Sequence, residues 1–382
     1  MPGASALILT TVWIIQALIR SQGQIFFQRA TLSGLLALLA LVVASPWLAG
    51  FALIGAAVQT GVSIFMRRPR RESARQAPGG DSRSADALSR LGFGSTAHSA
   101  PREAGDSEHP AGHSQPPAPS SGGSHKASAL AMSSLSTDAT ARRDAADGIH
   151  GFCGALTGCA AFLACGPTVA ALIWTVLGGA LCALLVRVLE RLRIFDWLPM
   201  LTGPFCAVNT ALNPVFARWY RESEPLTAPP FELAGPITDL VSGTVRASAQ
   251  VLLTDHLLTG LLVLVTMFVA GAREGLWSLT GAVAATALGF WILGWSPAMA
   301  GLAGYSGFLT ALALGAVFPR NDAALIVRLL VPLAGACVTV PLWWLLQQTG
   351  MAVYTWPFVL TTWAVLLTQR RWVRREVAGA AS

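Results

Sequence analysis

The sequence has 382 residues, of which 53% are hydrophobic and only 12% are charged. A soluble globular domain carries about 25% charged residues, so this composition excludes an ordinary soluble protein and predicts an all-α polytopic membrane protein. The net charge of +7 does not form a basic stripe with interleaved aromatic residues. We therefore expect the lipid bilayer as a partner and no nucleic acid.

The first apolar segment, at roughly residues 4–20, lacks a basic n-region and a small-residue cleavage site, so we interpret it as a retained helix. Further apolar segments follow along the chain. In the first half they lie at roughly 32–48, 48–66, 168–190 and 197–216, and in the second half at roughly 236–252, 257–271, 276–294, 322–347 and 353–369. Shorter segments bracketed by glycine begin near Gln24, Gly148, Gln250 and Gly301, and we predict that some of them cross only half of the membrane.

Residues 67–146 differ in composition from the rest of the chain. They are rich in Ser, Ala, Gly, Pro and Arg, contain almost no aromatic residues and include the run QPPAPSSGGSHK. Such a segment cannot bury enough apolar surface to offset the entropy lost on ordering, so we predict a disordered linker. The linker interrupts a first transmembrane repeat (1–66 and 147–220), whereas a second repeat (236–372) is continuous and precedes a C-terminal tail (373–382).

The two repeats are similar in sequence. QIFFQRATLSGLL resembles QVLLTDHLLTGLL, which lies 226 positions later, whereas GIHGFCGALTG and LPMLTGPF resemble GLAGYSGFLTA and MAVYTWPF at an offset of 153. The offsets differ by 73 residues (226 − 153), nearly the length of the linker, so the linker is an insertion into the first half. Because about five crossings per half is an odd number, we predict two inverted repeats of about five transmembrane helices plus one re-entrant half-helix each. Their pseudo-two-fold axis is the expected transport pathway.

Helix-breaking residues stand beside a threonine in both LPMLTGPF and MAVYTWPF. Non-helical backbone at membrane depth is tolerated where it is buried in protein or lines a wet cavity. Each proline frees a carbonyl, and Thr202 and Thr355 add hydroxyls that donate and accept hydrogen bonds. A simple proline kink is the structural alternative, but the repeated placement favours a conduction path.

The sequence lacks the residues that several functional classes of protein require. The repeated blocks contain no relay of Asp, Glu and His for ion coupling and no charged ring for an ion pore. No nucleotide loop or nucleophile elbow is present, so we expect no enzyme. The six cysteines form no C-x-x-C pair, and neither a metal nor a cofactor is indicated. Hydroxyl and carbonyl acceptors between apolar walls suit a small, flat, neutral solute.

The motifs resemble those of the urea transporter family, bacterial type. The family signature L-P-x-x-T-x-P-F is met in full at Leu198–Phe205, and its last three fixed positions recur at Thr355, Pro357 and Phe358. Two further family blocks, Q-[VI]-x-F…L-[ST]-G-L-L and G-F-N-G-x-L, are resembled in both halves, at Gln24–Leu36, Gln250–Leu262, Gly151–Leu156 and Gly304–Leu309. The resemblance covers essentially everything outside the linker.

This resemblance implies ten crossing helices in two inverted repeats, two re-entrant helices, and a homotrimer in the cell (inner) membrane with one pore per protomer. It implies passive conduction of urea, edge-on, through a slot of Phe and Leu side chains beside a ladder of oxygen acceptors. Carried over residue by residue, the pore positions are two helix-end glutamines, the slot residues and the mid-pore threonines. They are Gln24, Phe27, Phe152, Leu156, Thr202, Gln250, Val251, Tyr305, Leu309 and Thr355.

Three positions depart from the family pattern. Cys153 and Ser306 replace the asparagine of G-F-N-G, and Leu253 replaces a phenylalanine. These changes leave open a channel of the same fold for another small neutral solute, such as a short amide, ammonia or water. A degenerate or regulatory membrane protein, whose linker binds a cytosolic partner, is an alternative from a different functional class.

Arginine clusters follow residues 66 and 186, and a third forms the C-terminal QRRWVRRE. The positive-inside rule predicts a cytoplasmic C-terminus. With inverted halves of five crossings each, however, the three clusters cannot all be cytoplasmic, so either a half-crossing segment is miscounted or one cluster is external. The side of the linker therefore stays open at this point.

Overall fold

A computed structural model describes residues 2–67, 148–220, 235–320 and 323–380. Every regular element in these ranges is helical and none is a strand, which confirms the predicted all-α fold. The predicted linker lies outside the described residues except for its first residue, Arg67.

The described residues of the first half, 2–67 and 148–220, contain six α-helices, numbered here in chain order. They are α1 (Pro2–Gln24), α2 (Thr31–Ala44), α3 (Pro46–Arg67), α4 (Phe152–Cys165), α5 (Val169–Leu189) and α6 (Gly203–Phe216). A short 3-10 helix precedes α6 (Arg193–Asp196) and another follows it (Ala217–Trp219).

The described residues of the second half contain seven α-helices in a similar order. Its helices are α7 (Pro236–Gln250), α8 (Leu257–Ala270), α9 (Ala272–Ile292), α10 (Trp295–Met299), α11 (Tyr305–Leu312), α12 (Leu325–Gln347) and α13 (Trp356–Ala380). A π-helical turn over Ala313–Val317 prolongs α11. The positions equivalent to α10 in the first half lie outside the described residues. Helix α13 runs past residue 372, where the tail was predicted to begin.

The helices α2 and α8 show how closely the halves correspond. Each has 14 residues, and their first and last residues are both 226 positions apart. At 1.5 Å per residue each is about 21 Å long, shorter than the hydrocarbon core of roughly 30 Å. Helix α2 therefore ends before the end of the predicted segment 32–48, because the backbone of Ser45 is extended. Pro46 then starts α3, at a position where its missing backbone N–H costs no helix hydrogen bond.

Among the residues that the structure describes, four helices are long and apolar enough to cross a membrane by length and composition. They occupy equivalent places in the two halves and are Pro46–Met66 of α3, Val169–Leu189 of α5, Ala272–Ile292 of α9 and Leu325–Gln347 of α12. Large apolar side chains are exposed along their outer faces, as the bilayer requires. Four shorter apolar helices, α2, α4, α8 and α11, pack between them.

Close helix approach depends on glycine at equivalent positions. A Cβ atom on Gly34 would lie 2.2 Å from the carbonyl oxygen of Ile19, and one on Gly260 would lie 1.9 Å from that of Val245. These contacts hold α1 against α2 and α7 against α8 in the same register. Small residues at such crossings allow the backbone contact on which membrane helices depend.

Contacts between the halves involve equivalent elements. Helix α2 packs against α8, and α6 packs against α13. The hydroxyl of Thr259 on α8 donates to the carbonyl of Ala40 on α2 at 3.1 Å. Each half therefore presents the same surfaces to the other, as a pseudo-two-fold relation predicts.

The C-terminal ends of α3, α5 and α13 lie together, and we call this the basic end. Helix α4 runs antiparallel to α3, because Gly154 lies against Gly55 whereas Gly158 lies against Phe51. Helix α5 then returns the chain, so that Met66 of α3 and Val186 of α5 lie near each other.

The C-terminal cluster reaches the same end of the bundle. The Arg370 guanidinium carbon lies 3.7 Å from the centroid of the Trp197 ring, and Trp363 Nε1 donates to the Pro199 carbonyl at 2.7 Å. All three arginine clusters therefore begin at one end. Of the two alternatives, a miscounted half-crossing agrees with this arrangement, because α4 carries the chain back toward the opposite end.

Candidate functional site

The two repeated threonines touch each other in the interior. Thr202 Oγ1 lies 2.7 Å from Thr355 Oγ1, and either hydroxyl can be the donor. Both residues are buried, with 4% and 1% of their surface exposed. Cys206 Sγ, one turn into α6, lies 3.1 Å from Thr355 Oγ1. A motif that recurs 153 positions apart thus forms one polar contact between the halves.

The contact forms because α6 and α13 begin beside each other. The Thr202 carbonyl accepts from Cys206 N at 3.0 Å, and the Thr355 carbonyl accepts from Val359 N at 3.1 Å, so both threonines stand at a helix start. The proline of each motif lies in the first helical turn, where no backbone N–H is needed. Helix N-termini carry partial positive charge, so two positive ends converge on the threonine pair. This arrangement disfavours a cation at that point.

Four non-glycine residues of the described structure have left-handed backbone conformations, and they form two equivalent pairs. Phe27 and Leu253 have φ angles of 61° and 62°, and Leu201 and Tyr354 have φ angles of 52° and 42°. Such conformations are uncommon in non-glycine residues, and they persist where the surrounding structure holds them, often at functional sites. Leu201 and Tyr354 directly precede the two threonines.

The predicted glutamines end α1 and α7. The Gln24 carbonyl accepts from Phe27 N at 3.0 Å, and the Gln250 carbonyl accepts from Leu253 N at 2.9 Å. The two halves therefore contain equivalent hydrogen-bonded turns at these helix ends. Gln250 Nε2 also donates to the Ala300 carbonyl at 2.9 Å. The Gln250 amide therefore joins the end of α7 to the turn before α11, and its contact with a solute stays a prediction.

The predicted slot residues belong to one apolar cluster. Leu156, Val251, Tyr305 and Leu309 are buried members of it. Two partly buried phenylalanines pack against the same cluster, Phe27 and Phe152. All six side chains therefore belong to the buried interior of the bundle, and that they line a path stays a prediction.

Aromatic contacts connect this cluster to the helix starts. The Phe27 ring lies edge-on to Phe358 at 6.3 Å between centroids, and Phe205 lies edge-on to Tyr354 at 5.1 Å. The Tyr305 hydroxyl donates to the Tyr354 carbonyl. Edge-to-face packing is favourable beyond the area it buries, so these rings fix the walls relative to the threonine pair.

A polar network supports the first-half wall. Asn209 Nδ2 donates to Thr157 Oγ1 and to the Phe205 carbonyl, both at 2.8 Å. Trp174 Nε1 donates to Asn209 Oδ1 at 3.1 Å, and Thr157 Oγ1 donates to the Cys153 carbonyl at 2.9 Å. The network joins α4, α5 and α6 at the place where Cys153 replaces the family asparagine. Local hydrogen bonding there is therefore supplied by other residues.

Sequence reasoning missed several residues of this site. Phe205 and Phe358 are the last residues of the repeated motif, so their repetition was a usable signal. Asn209 and Cys206 have different residue types at the equivalent second-half positions, and repetition could not point to them. Only the folded contacts reveal these two.

The family comparison agrees with this geometry. A family model described as "Urea transporter" matches residues 15–76 and 126–370, which are most of the chain. The chain belongs to the urea transporter family. Membership supports transport of urea across a membrane by a multi-pass protein, in a family of transporters rather than enzymes. The description does not separate bacterial members from others, so the bacterial type stays a prediction.

The matched ranges of this urea transporter contain all ten predicted site residues. The unmatched stretch between them, 77–125, falls inside the predicted linker, which agrees with an insertion into the first half. No curated protein sequence matches the chain.

Proposed function

We propose that this urea transporter is a passive channel whose path passes between the hydroxyls of Thr202 and Thr355. The 2.7 Å contact between these side chains is the main support. A residue that touches its own counterpart in the other half lies on the pseudo-two-fold axis, and inverted-repeat transporters bind their substrates near that axis at mid-membrane.

Conduction rests on exchange of hydrogen bonds. Urea carries four N–H donors, and moving an amide out of water without replacing its hydrogen bonds costs roughly 2–7 kcal/mol. The Thr202 and Thr355 hydroxyls each have acceptor capacity, so urea N–H groups replace the hydroxyl-to-hydroxyl bond as the solute passes. Because bonds of similar strength are exchanged, urea is held weakly, which rapid release requires.

Apolar walls select the shape of the solute. Leu156 and Leu309 occupy equivalent positions, and each is only 1% exposed. Together with Phe27, Phe152 and Tyr305 they form two walls that a flat molecule can separate by small side-chain rotations. Val251, which was predicted as a pore position, lies in the same buried cluster. A bulkier amide requires a wider separation and passes more slowly.

Electrostatics supports conduction of neutral solutes without ion coupling. Two positive helix ends meet at the threonines, and the side chains that hydrogen-bond to Thr202 and Thr355 among the described residues are uncharged. A cation at this point gains no ion pair to offset the loss of its hydration. We therefore propose facilitated diffusion rather than coupled transport.

The proposal includes the inverted repeats and their orientation. Arginines of all three clusters begin at the basic end, and the positive-inside rule then places that end in the cytoplasm. The linker and the C-terminus would share this side. The homotrimer and the cell (inner) membrane location are carried over from the family.

The experiment is stopped-flow solute entry into proteoliposomes that contain the full-length protein. We expect urea to enter faster than formamide, acetamide and glycerol, with neither an ion gradient nor ATP. The matched control is Thr175→Val, because Thr175 is also buried but bonds to its own helix carbonyl at 2.8 Å. Urea entry equal to that of protein-free liposomes, or entry abolished by collapsing ion gradients, contradicts the proposal.

The same experiment separates the alternatives. Passage of formamide, ammonia or water without urea would favour the same fold with altered selectivity, with Cys153, Ser306 and Leu253 as the causes to test. Deletion of residues 68–146 tests the regulatory alternative. Unchanged urea flux after that deletion excludes an essential role of the linker in conduction.

A further inference from the structure

We propose that a cationic cavity at the basic end binds the phosphate group of an anionic membrane phospholipid. The cavity has a volume of about 170 Å³ and lies where the first turns of α9 and α12 meet residues 314–320 and Gln369 of α13. Its polar side chains are those of Arg273, Arg320, Arg328 and Gln369. None of the described residues that line it is Asp or Glu.

Arg273 is held in position without losing its charge. Its Nε and Nη2 atoms donate to the Gly315 carbonyl at 3.1 and 2.7 Å. A carbonyl carries no net charge, so the guanidinium stays cationic and keeps further N–H donors for a ligand. The neighbouring Glu274 carboxylate lies against Gly271 rather than in the cavity lining.

Arg328 adds a second uncompensated charge. It lies in the first turn of α12, and among the described residues it forms no ion pair, nor does Arg273. The planar guanidinium presents paired donors that match the oxygen atoms of a phosphate. Several such groups around one cavity therefore favour a phosphate-bearing anion.

The apolar part of the lining favours a lipid over a free anion. Leu325, Val327 and Leu329 line the cavity and are exposed by 67%, 38% and 47%. They continue into the apolar outer face of α12. A phospholipid can place its phosphate among the arginines while its acyl chains lie along this face, whereas inorganic phosphate gains nothing from apolar walls.

The arginines of the cavity are not repeated at the equivalent positions of the first half. Trp47 stands at the position equivalent to Arg273, and Pro167 stands at the position equivalent to Arg320. These two arginines therefore have no counterparts at the equivalent first-half positions. They lie at the end of the bundle at which the other arginine clusters begin, where an anionic leaflet would meet them.

Native mass spectrometry of the full-length protein in detergent tests this inference, which does not depend on the proposed function. Phosphatidylglycerol and phosphatidylcholine with the same acyl chains are the probes. We expect selective retention of phosphatidylglycerol, weakened about tenfold by Arg328→Gln and by Arg273→Gln. Arg191→Gln is the matched control, because Arg191 is exposed at the same end but does not line the cavity.

Three results would overturn the assignment: equal retention of the two lipids, an Arg328→Gln protein that binds like the wild type, or displacement of the lipid by equimolar inorganic phosphate. The last result would identify a free-anion site instead. Arg328 is exposed and lies outside the proposed path, so urea flux of Arg328→Gln should equal that of the wild type. Loss of lipid binding can thus be distinguished from failure of the channel.

Discussion

Phe27 and Leu253 lie 226 positions apart and share a left-handed backbone conformation, with φ angles of 61° and 62°. The turns that contain them are closed by equivalent hydrogen bonds to the carbonyls of Gln24 and Gln250. The side chains differ in size and shape, yet the backbone is the same. The strained conformation therefore belongs to the fold of each half and not to the residue that occupies it.

Leu253→Ile tests this backbone strain. A β-branched side chain tolerates positive φ poorly, so we expect a loss of about 1–3 kcal/mol in stability, although leucine and isoleucine have the same atoms. Thermal unfolding in detergent measures the effect. Leu253→Met, which is unbranched at Cβ, is the control and should unfold near the wild-type temperature. Equal midpoints for the two variants would show that the strain is absent.

The threonine pair is tested by Thr202→Val and Thr355→Val. Each substitution removes a hydroxyl with little change in shape, and losing about 0.5–1.5 kcal/mol of hydrogen bonding should lower urea flux roughly threefold to tenfold. In free-energy terms, the double variant should lose less urea flux than the two single losses added together, because the two side chains contact each other directly. Thr175→Val should conduct normally. If both single variants conduct urea at the wild-type rate, at equal protein content, then the threonines do not contribute to the path.

Phe152→Ala tests the wall. Truncating this partly buried ring widens the space beside Leu156, so acetamide flux relative to urea flux should rise several-fold. Phe162→Ala on the same helix is the matched control, because the Phe162 ring packs on Phe51 at 5.5 Å and was not predicted to line the path. A Phe152→Ala channel as selective as the wild type would argue against the slot.

Gly34→Ala tests the helix contact between α1 and α2. Its new Cβ would lie 2.2 Å from the Ile19 carbonyl oxygen, and overpacking of this kind costs about 1–3 kcal/mol. Gly61→Ala in α3 has no atom within 4 Å of the added carbon, and replacing a helical glycine with alanine stabilises by about 0.5–1 kcal/mol. Unfolding midpoints should therefore move in opposite directions. A Gly34→Ala midpoint at or above that of the wild type would refute the close contact.

Orientation is tested by labelling single introduced cysteines with a membrane-impermeant maleimide. Ser120→Cys in the linker and Ser382→Cys at the C-terminus should react from the same side, since α3 and α13 end together. Tyr220→Cys should react from the opposite side, because Tyr220 stacks on Trp174 at the start of α5, away from the basic end. Labelling of the linker and the C-terminus from different sides would contradict this arrangement.

Part of the site could be derived from the sequence because its motif occurs in both halves of the chain. Thr202 and Thr355 were found from their repeated motif, and the structure places them 2.7 Å apart. Asn209 could not be found in this way, because its hydrogen bonds to Thr157 and Phe205 join positions with no common sequence pattern. A repeat identifies equivalent positions, whereas a network depends on which helices become neighbours.

By itself, the sequence determined the helical class, the two halves, the place of the insertion and the paired threonines, since hydropathy, composition and recurrence are properties of the chain. Only the tertiary structure decided that α2 ends at Ala44, that the arginine clusters begin at one end and that arginines surround a cavity beside α12. The physical reason is that these features depend on the direction in which α4 returns and on contacts between residues far apart in sequence. The periodicity and composition of the sequence do not predict such contacts.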